Sequence, residues 1–147
     1  RHRHRHMNLL CSKFQKLDIG VLILSEQIGE FSLKHDGNTY GTNSAGEITV
    51  ASNFKGEATE FGAVWGTLTS SHALSDSNAT SGEVQWVGDA FLPDGSVLGG
   101  IGQGTWERSG HEWKVTMHVD VSNGDKHRSE GAMDLETLIY SGKLFKE

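Results

Sequence analysis

The chain has one cysteine and one proline in 147 residues. A lone Cys11 cannot close an internal disulfide, so the fold cannot rest on oxidative cross-links, and no partner side chain marks that thiol as a nucleophile. One proline beside 19 glycines excludes a Pro-rich linker and suits strands that twist and bend sharply. Long apolar runs are also missing. Leu17 to Leu24 is far short of the ~20 residues a spanning helix needs and contains Asp18. It follows Lys13 and Lys16 in the manner of a short signal-peptide core, and its presence in the chain predicts a cytoplasmic protein.

Positive charge is scarce: 13 Lys and Arg stand against 19 Asp and Glu, for a net charge of −6. Three of the arginines belong to the alternating Arg1-His2-Arg3-His4-Arg5-His6 ahead of Met7, which reads as an affinity tag and leaves 7–147 as one domain. Without residues 1–6 the basic count falls from 13 to 10 and the net charge to −9. An acidic chain with no basic stripe repels phosphate backbones and anionic lipid, so neither nucleic acid nor a membrane is an expected partner. A small molecule is. No His, Cys or carboxylate pair has metal-ligand spacing, and no cofactor is expected.

What the chain does contain is turns. Asn123-Gly124 follows Val115–Val121 and predicts a type I′ hairpin into a strand running from Lys126 to Tyr140. Pro93-Asp94-Gly95, Ser109-Gly110, Ser141-Gly142, Asp36-Gly37 and Ala45-Gly46 mark further turns. Between them lie short segments of period-two alternation, such as Phe31-Ser32-Leu33 and Val84-Gln85-Trp86, seven to nine strands in all. The sequence predicts an all-β protein of antiparallel hairpins, an eight-stranded closed barrel. Only the N-terminal segment is ambiguous. Leu10, Phe14, Leu17, Val21, Leu24 and Ile28 form a helical seam, yet Leu17–Leu24 also reads as a strand, so a short helix or an extra strand precedes the barrel. That apolar segment is also where a homodimer would form.

Alternation sorts side chains by face. Trp113, Val115, Met117, Val119 and Val121 are expected inside, opposite Met133, Leu135 and Ile139, whereas His118 and Asp120 fall on the wet side. The same parity brings His127 and Ser129 inward, and His35 with Phe31 and Leu33. Asp89, between Val87 and Phe91, is a candidate buried carboxylate. His35, His127 and Asp89 are therefore the candidate acid-base groups, each also readable as a polar residue at a strand end. Trp65, Trp86, Trp106, Trp113 and Met117 are the candidate ligand-contacting residues, with Gly102 as bare backbone beneath a ring.

Two apparent motifs fail on context. Gly100-Ile101-Gly102-Gln103-Gly104 runs on into strand where a dinucleotide-binding turn requires a helix, and the polar loop from Asp76 to Glu83 lacks the distal carboxylate of a calcium loop.

The stretch Gly99-Gly100-Ile101-Gly102-Gln103-Gly104-Thr105-Trp106, with its Gly110 turn and following strand, resembles the glycine-rich stretch of allene oxide cyclase-like and dirigent-like barrels. The resemblance covers about a quarter of the chain and implies an eight-stranded, calycin-like barrel around a hydrophobic cavity. In that superfamily members bind lipids or steer cyclisations. A lipocalin-like barrel would have much the same sequence. The expectation is thus a module binding a small, mostly apolar ligand; the alternative is a cofactor-free isomerase or cyclase acting on a hydrophobic molecule in the same cavity.

Overall fold

In a computed structural model, residues 26–147 are described in full, and the backbone is described for 14–16 and 22–24. The tag residues 1–6 and Cys11 lie outside the described residues. The chain forms β1 (Phe14–Lys16), β2 (Leu22–Leu24), β3 (Gln27–Thr42), β4 (Ile48–Ala58), β5 (Gly62–His72), β6 (Ser81–Phe91), β7 (Val97–Ser109), β8 (Glu112–Val121), β9 (Lys126–Asp134) and β10 (Ile139–Lys146). β3 to β10 close into an antiparallel eight-stranded barrel, in which each strand pairs with its sequence neighbours and β10 pairs with β3. No described helix is long and apolar enough to cross a membrane.

The helical reading of the N-terminal segment is corrected. Phe14 pairs with Leu24 and Lys16 with Leu22 in a two-stranded antiparallel ribbon, the extra strand of the two alternatives. Most of the Leu17–Leu24 segment expected to carry a dimer contact lies outside the described residues.

Three hairpins share one turn. At Asn43–Glu47, Leu92–Ser96 and Val121–Asp125, the N–H of Gly46, Gly95 or Gly124 donates to the carbonyl three residues earlier, each at 2.9 Å. These glycines have φ of +79°, +91° and +97°, the left-handed position that closes a three-residue loop. The type I′ expectation at Asn123-Gly124 is corrected on this point, because Gly124 takes a positive φ and Asn123 does not. Two other expected turns lie inside strands. Asp36-Gly37 is a bulge in β3, where the register with β4 shifts between His35 and Asn38, and Ser141-Gly142 pairs continuously within β10. The break comes instead between Asp134 and Ile139, with Leu138 at φ +63°.

The barrel interior is apolar. Phe31, Leu33, Phe54, Leu68, Val84, Val115, Met117, Met133 and Tyr140 are buried in one cluster, with Trp86, Trp106 and Trp113 packed against it. Val115, Met117 and Met133 lie where alternation put them. Ile139 does not: Tyr140 is the buried residue of that pair, because the 135–138 turn resets the parity.

Candidate functional site

A cavity of about 110 Å³ lies inside one end of the barrel, beneath the turns that follow β4, β6 and β8. Two walls, separated by β8 on one side and by β3 to β5 on the other, differ in chemistry. On the β6 and β7 side the lining includes Trp86, Gly88, Ala90, Leu98 and Gly100, with Asp89 at its edge. On the β9 and β10 side His127, Ser129 and Tyr140 face inward.

Glycines set the position of the rings. A Cβ at Gly66 would fall on the Trp86 ring, and one at Gly88 would sit 2.8 Å from it, so the indole lies against bare backbone of β5 and β6. Across the barrel a Cβ at Gly131 would approach Phe31 to 2.7 Å and Tyr140 to 3.1 Å. Phe31 and Phe54 pack on the Tyr140 ring at centroid distances of 5.0 and 5.4 Å and fix it at the floor of the cavity.

The polar wall runs from mouth to floor. His127, at the start of β9, packs edge-on against Phe61 at 5.3 Å, and among the described residues its ring makes no hydrogen bond. Burial pushes the imidazole below its usual pKa, against the pull of Asp125 and Glu147, so the ring is neutral at pH 7. Ser129 follows two residues later on the same face and is buried. Tyr140 is 1% exposed. Burial drives its pKa upward, eased by the nearby Ser129 hydroxyl, so it stays protonated throughout the neutral range. The Ser129 hydroxyl is near enough to act on Tyr140, but the Tyr140 Oη has no partner in good hydrogen-bond geometry among the described residues. Neither lysine nor arginine lines the cavity.

Of the three candidate acid-base groups, His127 alone faces the interior of this space. Asp89 is at the rim, exposed, because it sits on the outward parity of β6 opposite Trp65 and Gly99; the buried-carboxylate reading is corrected. His35 lies toward the opposite end of the barrel, against Phe54 at 5.5 Å with its Nε2 2.7 Å from Asn38 Oδ1. His127 and Asp89 thus border one cavity, at its wall and its rim, and His35 does not join them.

The candidate ligand-contacting residues also separate. Trp86 and Met117 line the cavity. Gly102 is buried beside it, where a Cβ would meet Val119 at 3.1 Å, Trp86 at 3.3 Å and Met117 at 3.4 Å. Trp106 and Trp113 pack together at 5.6 Å below the floor, away from the lining. Trp65 points outward and is half exposed, stacked edge-on against Phe91 at 5.1 Å; its assignment to the interior is corrected. The strand Phe61–Trp65 reads apolar on both sides, so alternation gave no sign that Val64, not Trp65, is the inward residue. Tyr140 was missed for the same parity error that placed Ile139 inside.

Among the described residues no cluster of His, Cys, Asp and Glu could hold a metal. No protein-family model, curated protein or solved structure matches the chain, and nothing in these comparisons ties the barrel to the allene oxide cyclase-like family.

Proposed function

We propose that the barrel binds one small, mostly apolar molecule in the cavity between Trp86 and Tyr140. The observation that carries this reading is the cavity itself. At roughly 24 cal/mol per Å³, a void of this volume forgoes about 2 to 3 kcal/mol that side chains could recover by filling it. The sequence instead places glycine at position 100 on the wall, where a Cβ would meet nothing nearer than Val119 at 3.6 Å, and so leaves the space open. An apolar cavity of ~150 Å³ holds benzene, so a space of about 110 Å³ takes a single small ring or a chain end, with the remainder passing out of the mouth. The isomerase or cyclase alternative is less well supported, since Asp89 is exposed at the rim and His35 does not line the cavity.

A ligand that binds the folded state alone raises its melting temperature. Toluene, indole and n-octanol, each at ten times its dissociation constant, should stabilise the protein by about 1.4 kcal/mol, a rise of roughly 3 to 6 °C in a scanning calorimeter. A melting temperature unmoved by all three up to their solubility limits would contradict the reading.

A further inference from the structure

We infer that the cavity selects an uncharged molecule bearing one oxygen, a hydroxyl or carbonyl, which it takes in oxygen-first so that this atom meets Tyr140 and Ser129 at the floor. The inference rests on the cavity being a binding site and adds the class of ligand. Three observations carry it.

The first is the polar wall. A core meant only to pack has no use for His127, Ser129 and Tyr140 turned inward from adjacent strands, and all three are more than nine-tenths buried. Buried hydroxyls nearly always find a partner, yet the Tyr140 Oη has none in good geometry among the described residues, with the Ser129 hydroxyl beside it and both residues lining the cavity. Its O–H can donate to a ligand oxygen, and Ser129 Oγ can accept from a ligand hydroxyl. The second is charge. The lining holds no cation that could neutralise a carboxylate or sulfonate, the Asp89 carboxylate stands at the rim, and the whole chain is acidic, so an anion would be desolvated without compensation. The third is direction. The stripe leads from His127 near the mouth to Tyr140 at the floor, while Trp86, Ala90 and Leu98 give the β6 and β7 wall an apolar surface below Asp89 at the rim. A molecule with its oxygen at the floor lays its apolar body along that wall.

Calorimetric titration of the full chain at pH 7.5 with toluene, p-cresol and benzoate tests this. The three share one ring and differ in the polar group. p-Cresol should bind about threefold to tenfold tighter than toluene, the worth of one net hydrogen bond, and benzoate should give no measurable heat of binding. Tyr140→Phe removes the hydroxyl and keeps the ring, so the variant should fold and lose most of the ratio by which p-cresol binds tighter than toluene. Ser129→Ala should lose part of it. Equal affinity for toluene and p-cresol, tight binding of benzoate, or an unchanged preference in both variants would overturn the inference while leaving the apolar cavity in place. Binding of none of the three would overturn the cavity reading together with it.

Discussion

Replacing Phe54 with Ala should cost about 3 to 5 kcal/mol, the usual range for truncating a fully buried phenylalanine. Phe54 is 2% exposed on β4 and touches the rings of Tyr140 and His35, so it joins the floor of the cavity to the far end of the barrel. Its removal leaves a void that eight hydrogen-bonded strands cannot collapse to fill, because their backbone separations are fixed by the closed ladder. For a domain of this size the melting temperature should fall by roughly 10 to 20 °C. Ligand affinity should fall with it, since Tyr140 loses the ring that backs it. A drop under about 3 °C in thermal denaturation would mean that Phe54 is not the centre of the core.

The second large effect is expected at a residue with no side chain. Gly66→Val places atoms where the Trp86 indole now lies, and the ring cannot retreat without entering the cavity or breaking its contact with Gly88. Overpacking of this kind costs about 1 to 3 kcal/mol, and here it should also close the space in which a ligand would sit. Gly99→Ala supplies the contrast. A Cβ there would meet nothing nearer than Asp89 Oδ1 at 3.8 Å, so stability should change by no more than about 0.5 kcal/mol and toluene binding should persist. Chemical denaturation and toluene titration of both variants separate the two outcomes. A Gly66→Val protein as stable as Gly99→Ala, or one that binds toluene at full strength, would show that the indole is free to move elsewhere.

The class of fold was legible because the turns are written in glycine: Gly46, Gly95 and Gly124 all occupy the positive φ that their loops demand. The faces of β8 and the first half of β9 were legible because Val115, Met117, His127 and Ser129 alternate without interruption. Reading failed where a turn had no marker. Glu136-Thr137-Leu138 contains no glycine, proline or asparagine, and Leu138 reaches φ +63° because the barrel requires the chain to reverse there. Parity carried through that reversal chose Ile139 over Tyr140 and so hid the most deeply buried polar group of the cavity. The reverse error came from Asp36-Gly37 and Ser141-Gly142, turn-like pairs absorbed by a bulge and by close strand approach. In the latter a Cβ at Gly142 would strike the backbone of Glu130 and Gly131. Trp65 shows a third limit. Large aromatics favour strands on either face, and only closure of the barrel decides that this one joins Phe91, Val97 and Ile101 outside.

Whether the interior between Trp86 and Tyr140 admits a ligand is tested most directly by following the four tryptophan indole N–H signals and the Met117 methyl by NMR while toluene is added. The expected result is a saturable shift of Trp86 and Met117, a small change at Trp106 and Trp113 below the floor, and no movement of Trp65 on the outer face. Shifts confined to Trp65, or a Met117 methyl that stays in place while Trp65 and Trp86 move together, would locate toluene on the outside of the barrel and contradict the cavity.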